Sequence, residues 1–186
     1  MESVASRIAN WLIENGAKES EREVYAYGIE CFLNVAITFG TILVIAAAIG
    51  KVGITLVWFA FFLPLRHTSG GLHASSRIGC FILSLAVGVG CMLLNAVVVG
   101  HTWFIVVGAV FSLIVVFVCA PVIHPNHPVP ERQIKNIMRA SRSIIVIEIA
   151  LMLLFQVCHF QSVAAAAILG VLSASISTFI GRLKAA

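Results

Sequence analysis

Six apolar runs, cut by short polar gaps, organise this chain. They cover roughly 30–49, 52–65, 78–99, 102–123, 143–160 and 162–180. A helix needs about 20 predominantly apolar residues to cross a hydrocarbon core of about 30 Å, and five of the runs approach that length. The pattern predicts an all-α integral membrane protein, a bundle of about six transmembrane helices in a single domain over 1–186. The second run is the exception. Its roughly fourteen residues make about 21 Å of helix. It is expected to be completed by Lys51 and the start of the following polar gap, or to contain a re-entrant piece within 52–80. Only His159 to Gln161 part the last two runs, which predicts a tight helical hairpin.

Ahead of the first run, residues 1–29 are polar. Val4, Ile8, Trp11 and Leu12 recur there at helical spacing, with Arg7, Asn10 and Glu14 off the stripe. This predicts an amphipathic helix on the membrane surface, or one packed on the bundle. The segment lacks the apolar stretch of a secretory signal.

Composition agrees with the runs. The chain is 60% hydrophobic and 11% charged, where soluble chains carry about 25% charged residues. Every acidic residue is Glu, so no triad with Asp can form within one chain. The five cysteines show no paired spacing; four lie in apolar runs, where Cys behaves as a small hydrophobe.

Charge then orients the bundle. With six spans and the N-terminus inside, cytoplasmic segments hold Arg7, Lys18, Arg22, Arg66, Arg77, Arg132, Lys135, Arg139, Arg142, Arg182 and Lys184, and the outside loops hold Lys51 alone. This positive-inside asymmetry predicts cytoplasmic termini. It also puts the gap Arg66–Cys80, RHTSGGLHASSRIGC, on the cytoplasmic side, where thiols stay reduced.

That gap gathers the reactive groups. On one continuous helix His73 and Cys80 would be about 10.5 Å apart. Gly70-Gly71 permits unusual backbone angles, and Ser75 and Ser76 are N-cap candidates for a helix starting near Arg77. Cys80 then falls in or just past the first turn of the third span, where unpaired N–H groups and the helix dipole favour a thiolate in general. His73 on the preceding turn is placed to take the thiol proton, the minimum equipment of a cysteine nucleophile. Arg66, His67 and the glycine backbone are candidates to bind a carbonyl or carboxylate. Glycine N–H groups, Ser75 or Ser76 are candidates for an oxyanion. Packing of a cysteine at a span end is the plainer alternative. A zinc site of His67, His73 and Cys80 lacks supporting spacing.

The second polar segment, 121–142, begins with four prolines in ten residues, a rigid loop start. After Pro130 the basic residues Arg132, Lys135, Arg139 and Arg142 step by three, four and three, one face of a helix. Such a face suits an acidic peptide or anionic lipid, and is also what positive-inside bias alone gives. His124 and His127 have no further ligands to make a metal site. Inside the spans, Glu148 is a candidate to pair with Arg142 or Arg66, or to orient His73.

The pattern Arg66, Gly70-Gly71, His73 and Cys80 after a short span resembles the accessory gene regulator B family of bacterial membrane endopeptidases. Glu23-x-x-x-Tyr27-Gly28-x-Glu30 and Ala120-Pro121 followed by Pro125-Asn126-x-Pro128 support the likeness. The resemblance implies a cysteine peptidase with Cys80 as nucleophile and His73 as base, then acid, a dyad without a third member. It implies a small precursor peptide as substrate, cleaved before an acidic C-terminal tail. The thioester acyl-enzyme is then attacked by an internal Cys or Ser, closing a thiolactone or lactone quorum-sensing signal. It implies residence in the bacterial cell membrane. The basic face then has the acidic tail as its partner, and the N-terminal helix the precursor's leader. A homodimer is expected because so small a bundle offers little shelter for an acyl-enzyme. No cofactor, metal or nucleic acid is expected. The competing readings are a small peptide or lipid transporter and a non-catalytic membrane partner of a signalling system. Against a transporter stand the lack of an intramembrane carboxylate ladder and of an internal repeat.

Overall fold

The computed structural model of the chain describes residues 2–72, 76–123 and 130–185, without the side chains of Glu2, Arg77, Glu131, Arg132 and Ala185. The described residues form seven α-helices: α1 (Glu2–Glu14), α2 (Arg22–Ala48), α3 (Val52–Ser69), α4 (Arg77–Val98), α5 (Thr102–Cys119), α6 (Glu131–Val157) and α7 (Gln161–Ala185). Six of them, α2 to α7, are long and apolar enough to cross a membrane. Large apolar side chains such as Phe32, Val44, Val97, Val118 and Val157 stand exposed along these helices. In water such a surface would be an aggregation hazard; in a bilayer it is the lipid face. The chain is a multi-pass helical membrane protein.

Helix boundaries depart from the hydrophobic pattern in three places, each for a local reason. The first span begins at Arg22 rather than near 30, because Glu23, Tyr27 and Glu30 continue the helix out of the apolar run. The second is completed by the start of the polar gap, the first of the two expectations for it: α3 runs from its N-cap Lys51 through Pro64 to Ser69 and carries Arg66 and His67 in its last turn. The fifth starts at Glu131, directly after Pro130. Proline at a helix start loses no bond, since the first N–H groups have no partner anyway. Residues 131–142 are therefore a helical extension of the span and not a loop.

Helix α7 is the hub. Of its most apolar stretch 61% is buried, against at most 33% in any other span. The run Ala164–Ala167 with Ile168, Val171 and Ala174 supplies the centre of the core. Without a hydrophobic drive between helices in lipid, close backbone approach has to hold them, and small residues permit it. At Gly170 an added Cβ would lie 2.9 Å from the Trp58 carbonyl oxygen and 3.0 Å from Phe61 Cβ. Helices α3 and α7 thus meet backbone to backbone.

Hydrogen bonds fix the register of the antiparallel neighbours. Asn95 Nδ2 donates to the Ser162 carbonyl at 3.0 Å, joining α4 to α7. Gln156 Nε2 donates to Thr102 Oγ1 at 2.9 Å, joining α6 to α5 at one end, and Arg142 donates to the Phe117 carbonyl at 3.1 Å at the other. The predicted α6–α7 hairpin is present. It turns at His159, which adopts φ 63°, while Phe160 N–H bonds the Phe155 carbonyl.

Of the two expectations for the N-terminal segment, packing on the bundle is what the structure displays. Helix α1 packs on α2 through Ala5 and Ala9, both buried, and Arg22 Nε donates to Asn10 Oδ1 at 2.8 Å. The stripe Val4, Ile8 and Trp11 stays exposed, Trp11 by 59%. Small residues face the bundle and large apolar ones face outward, the distribution of an interfacial helix anchored to a span.

Candidate active site at the α3–α4 junction

The site is assembled where α3 ends and α4 begins. Gly70 closes α3 with φ 71° and Gly71 follows at φ 143°, conformations open to glycine and strained for other residues. Space excludes a side chain as well. A Cβ on Gly70 would collide with the Val122 carbonyl oxygen, and one on Gly71 would lie 2.5 Å from Arg66 Nη1 and 2.9 Å from the Ser177 carbonyl oxygen.

Partners from distant sequence hold this turn. Leu72 N–H donates to the Ser177 carbonyl at 2.8 Å and lies 3.2 Å from Ser177 Oγ. The Leu72 carbonyl accepts from Arg66 Nη2 at 2.7 Å. The Ser69 and Thr178 hydroxyls are 2.8 Å apart, and Thr178 Oγ1 lies 3.2 Å from the Gly70 carbonyl. Val122 N–H donates to the Ser69 carbonyl at 2.9 Å. The chain is therefore fixed on α7 up to Leu72, one peptide bond before His73. His73 itself, with Ser75, lies outside the described residues, as do His124 and His127.

The description resumes at Ser76, the N-cap of α4. Its side chain accepts from Gly79 N–H at 3.0 Å, as an N-cap serine should. The Cys80 N–H makes a backbone bond of the first turn, to the Ser76 carbonyl at 3.0 Å. Cys80 thus sits where the helix signals place it, free and half-buried.

Cys80 lines a cavity of about 140 Å³ between α2, α3, α4 and α7. Arg66, Ser84, Ser173 and Ser177 give it polar positions, and Phe39, Trp58 and Phe62 an aromatic wall. The Trp58 and Phe62 rings stack 4.7 Å apart. Arg66 and Cys80 line the same cavity. A thiol, a guanidinium and hydroxyls beside an apolar chamber can bind one apolar side chain and polarise the carbonyl next to it.

Other candidate residues are placed differently. His67 is exposed on α3, and Ser76 is committed as a cap. Lys135 and Arg139 are exposed on the α6 extension. Arg142 is turned inward, 5.1 Å over the Phe117 ring and bonded to the Phe117 carbonyl, so it holds the end of α5. The Arg132 side chain lies outside the description. Glu148 is 6% exposed, and neither of its oxygens has a hydrogen-bond partner among the described residues. It pairs with neither Arg142 nor Arg66. Six residues of helix put it about 9 Å further along α6 than Arg142, and the Arg66 guanidinium is turned to Leu72.

The pattern of polar gaps passes over Ser173, Ser177 and Thr178, because all three sit in the last apolar run, and over Gly181 just past its end. A signal was present: Ser173 and Ser177 are one turn apart, among the small residues Gly170, Ala174 and Gly181.

The arrangement defines a class: a multi-pass helical membrane protein with a free cysteine in the first turn of a span, facing a chamber between helices. The family is accessory gene regulator B. Its model matches residues 5–179, and the chain belongs to that family. Membership places it in the agr quorum-sensing system. It is similar to proteins named only as AgrB-like from Listeria welshimeri, Listeria innocua and Listeria monocytogenes. Each is 27% identical over 158 residues, covering 82% of this chain and 78% of the relative. No solved structure matches the chain.

Proposed function

We propose that the chain is a membrane-embedded cysteine endopeptidase that removes the C-terminal tail of a small precursor peptide and promotes cyclisation of the remainder. The observation that carries this reading is Cys80 in the first turn of α4, on the wall of an otherwise largely apolar chamber beside Arg66. The Cys80 sulfur adds its electron pair to the scissile carbonyl carbon, and the C=O π pair moves onto oxygen. His73 takes the thiol proton and returns it to the departing amine as the C–N bond breaks, which leaves a thioester on Cys80. A Cys or Ser side chain within the peptide then attacks the thioester, reforms the Cys80 thiol and closes a thiolactone or lactone. Thiol–thioester exchange is nearly neutral in energy, so exclusion of water decides between cyclisation and hydrolysis.

The chamber is the natural seat for the side chain on the acyl side of the cut. A dry apolar cavity of about 150 Å³ accommodates benzene, so this one suits a single large apolar residue. Lys135 and Arg139 are among the exposed cations, with Arg182 and Lys184 on α7, available to the acidic tail. The positive-inside asymmetry assigns this end of the bundle to the cytoplasm.

Co-expression with the short peptide encoded beside the gene, followed by mass measurement of that peptide, tests the reading. Cleavage is expected in the wild type and absent in Cys80→Ala; cleavage that persists in Cys80→Ala refutes it. Ser173→Leu fills the chamber, and is expected to abolish cleavage after a large apolar residue while sparing a precursor with Ala at that position.

A further inference from the structure

Attack by Cys80 creates a negative oxygen, and a peptidase needs hydrogen-bond donors aimed at it. Several groups near Cys80 are already committed. The Leu72 N–H is taken by the Ser177 carbonyl. The exposed Ser76 hydroxyl accepts from Gly79 as the helix cap. The Ser173 hydroxyl donates to the Gly170 carbonyl at 2.9 Å. Arg66 commits Nη2 to the Leu72 carbonyl and keeps its other N–H groups to act beside a further donor.

Ser177 is placed differently. Ser177 lines the same chamber as Cys80. The Leu72 N–H, bonded to the Ser177 carbonyl at 2.8 Å, is shared with the Ser177 hydroxyl oxygen at 3.2 Å, which draws that oxygen toward the turn, and the hydroxyl's own proton has no acceptor among the described residues. The helix register agrees. Helices α4 and α7 run antiparallel, with Asn95 bonded to Ser162 and Cys91 Sγ 4.0 Å from the Leu169 carbonyl. Continued along both helices, that register brings Cys80 level with residues of about 177–180. Ser84, one turn beyond Cys80, also lines the chamber but has no tether to set its hydroxyl among the described residues.

We infer that Ser177 is a catalytic residue: its hydroxyl donates to the oxygen that becomes negative as the Cys80 sulfur adds to the carbonyl. The inference rests on the reading of Cys80 as the nucleophile. A single hydroxyl thereby serves two ends. It accepts from the loop that leads to His73, and it donates to the reacting group.

The full-length chain in lipid nanodiscs provides the test, with N-acetyl-phenylalanine p-nitrophenyl ester as the acyl probe and iodoacetamide as the alkyl probe. Acylation passes through an oxyanion; alkylation does not. The ester's leaving group also needs no proton, so the readout is independent of acid catalysis by His73. Ser177→Ala is expected to slow acylation of Cys80 about 100-fold while alkylation keeps its wild-type rate, and Ser177→Thr is expected to restore most of the acylation. Three results overturn the inference: unchanged acylation in Ser177→Ala, equal loss in Ser177→Ala and Ser177→Thr, or a parallel fall in alkylation. Absence of any Cys80 acyl adduct in the wild type, with alkylation intact, instead overturns the nucleophile reading itself.

Discussion

Gly181→Ala is the sharpest probe of how α7 holds the active-site turn. A methyl there would stand 2.5 Å from the Gly71 carbonyl carbon and 2.8 Å from both Gly71 Cα and Leu72 N. All three are backbone atoms, so no rotamer change relieves the contact. Carbon atoms prefer about 3.5 Å, so the turn must retreat by about 1 Å. The Leu72 N–H bond to the Ser177 carbonyl, now 2.8 Å, stretches past any useful length. Overpacking costs about 1–3 kcal/mol and the lost bond about 1 kcal/mol. The better helix propensity of alanine offsets at most about 1 kcal/mol. The net is a destabilisation of about 1–3 kcal/mol, too little to empty the membrane of folded chain. Activity is expected to suffer far more. A 1 Å misplacement of reacting groups can cost about 100-fold, and here both the path to His73 and the Ser177 hydroxyl move. The assay is the rate of precursor cleavage by mass measurement, normalised to folded protein. Gly40→Ala is the control, because its Cβ meets nothing within 4 Å. Wild-type cleavage by Gly181→Ala would refute the idea that α7 sets the geometry of the turn.

Two further outcomes follow from the cap and from the basic helix. Ser76→Ala removes the acceptor for Gly79 N–H, which should cost about 1 kcal/mol and loosen the first turn that carries Cys80; Ser76→Asn should preserve both stability and cleavage, read by thermal melting and the same mass assay. Lys135→Glu with Arg139→Glu should raise KM for a precursor with an acidic tail and leave kcat intact, whereas Arg142→Ala should lower the melting temperature, because Arg142 is spent on the end of α5.

Much of the architecture was legible because its signals are local. Six apolar runs announce six spans, and Ser76 announces the start of α4. Cys80 could be placed in a helix's first turn from these alone. What was illegible is non-local. Ser69 meets Thr178 across 109 residues of sequence, and nothing in either run marks the pairing. The small residues of α7 look like those of any span until the helices that press on them are known. The second run looked too short to span, and α3 completes it by running through Pro64 into the polar gap as far as Ser69, where it forms the platform for Arg66. Glu148 looked like a partner for an arginine, and both arginines found carbonyls instead.

The bond from Leu72 to Ser177 spans 105 residues. Ribosomes add about 5–20 residues per second. For several seconds of synthesis, then, Cys80 sits in the membrane with no α7 to hold the turn before it. Under the proposed function, the nascent chain lacks the fixed turn and the Ser177 hydroxyl, so cleavage is expected only once the seventh helix docks. A chain arrested before that helix is expected to carry the cysteine and leave the precursor uncut.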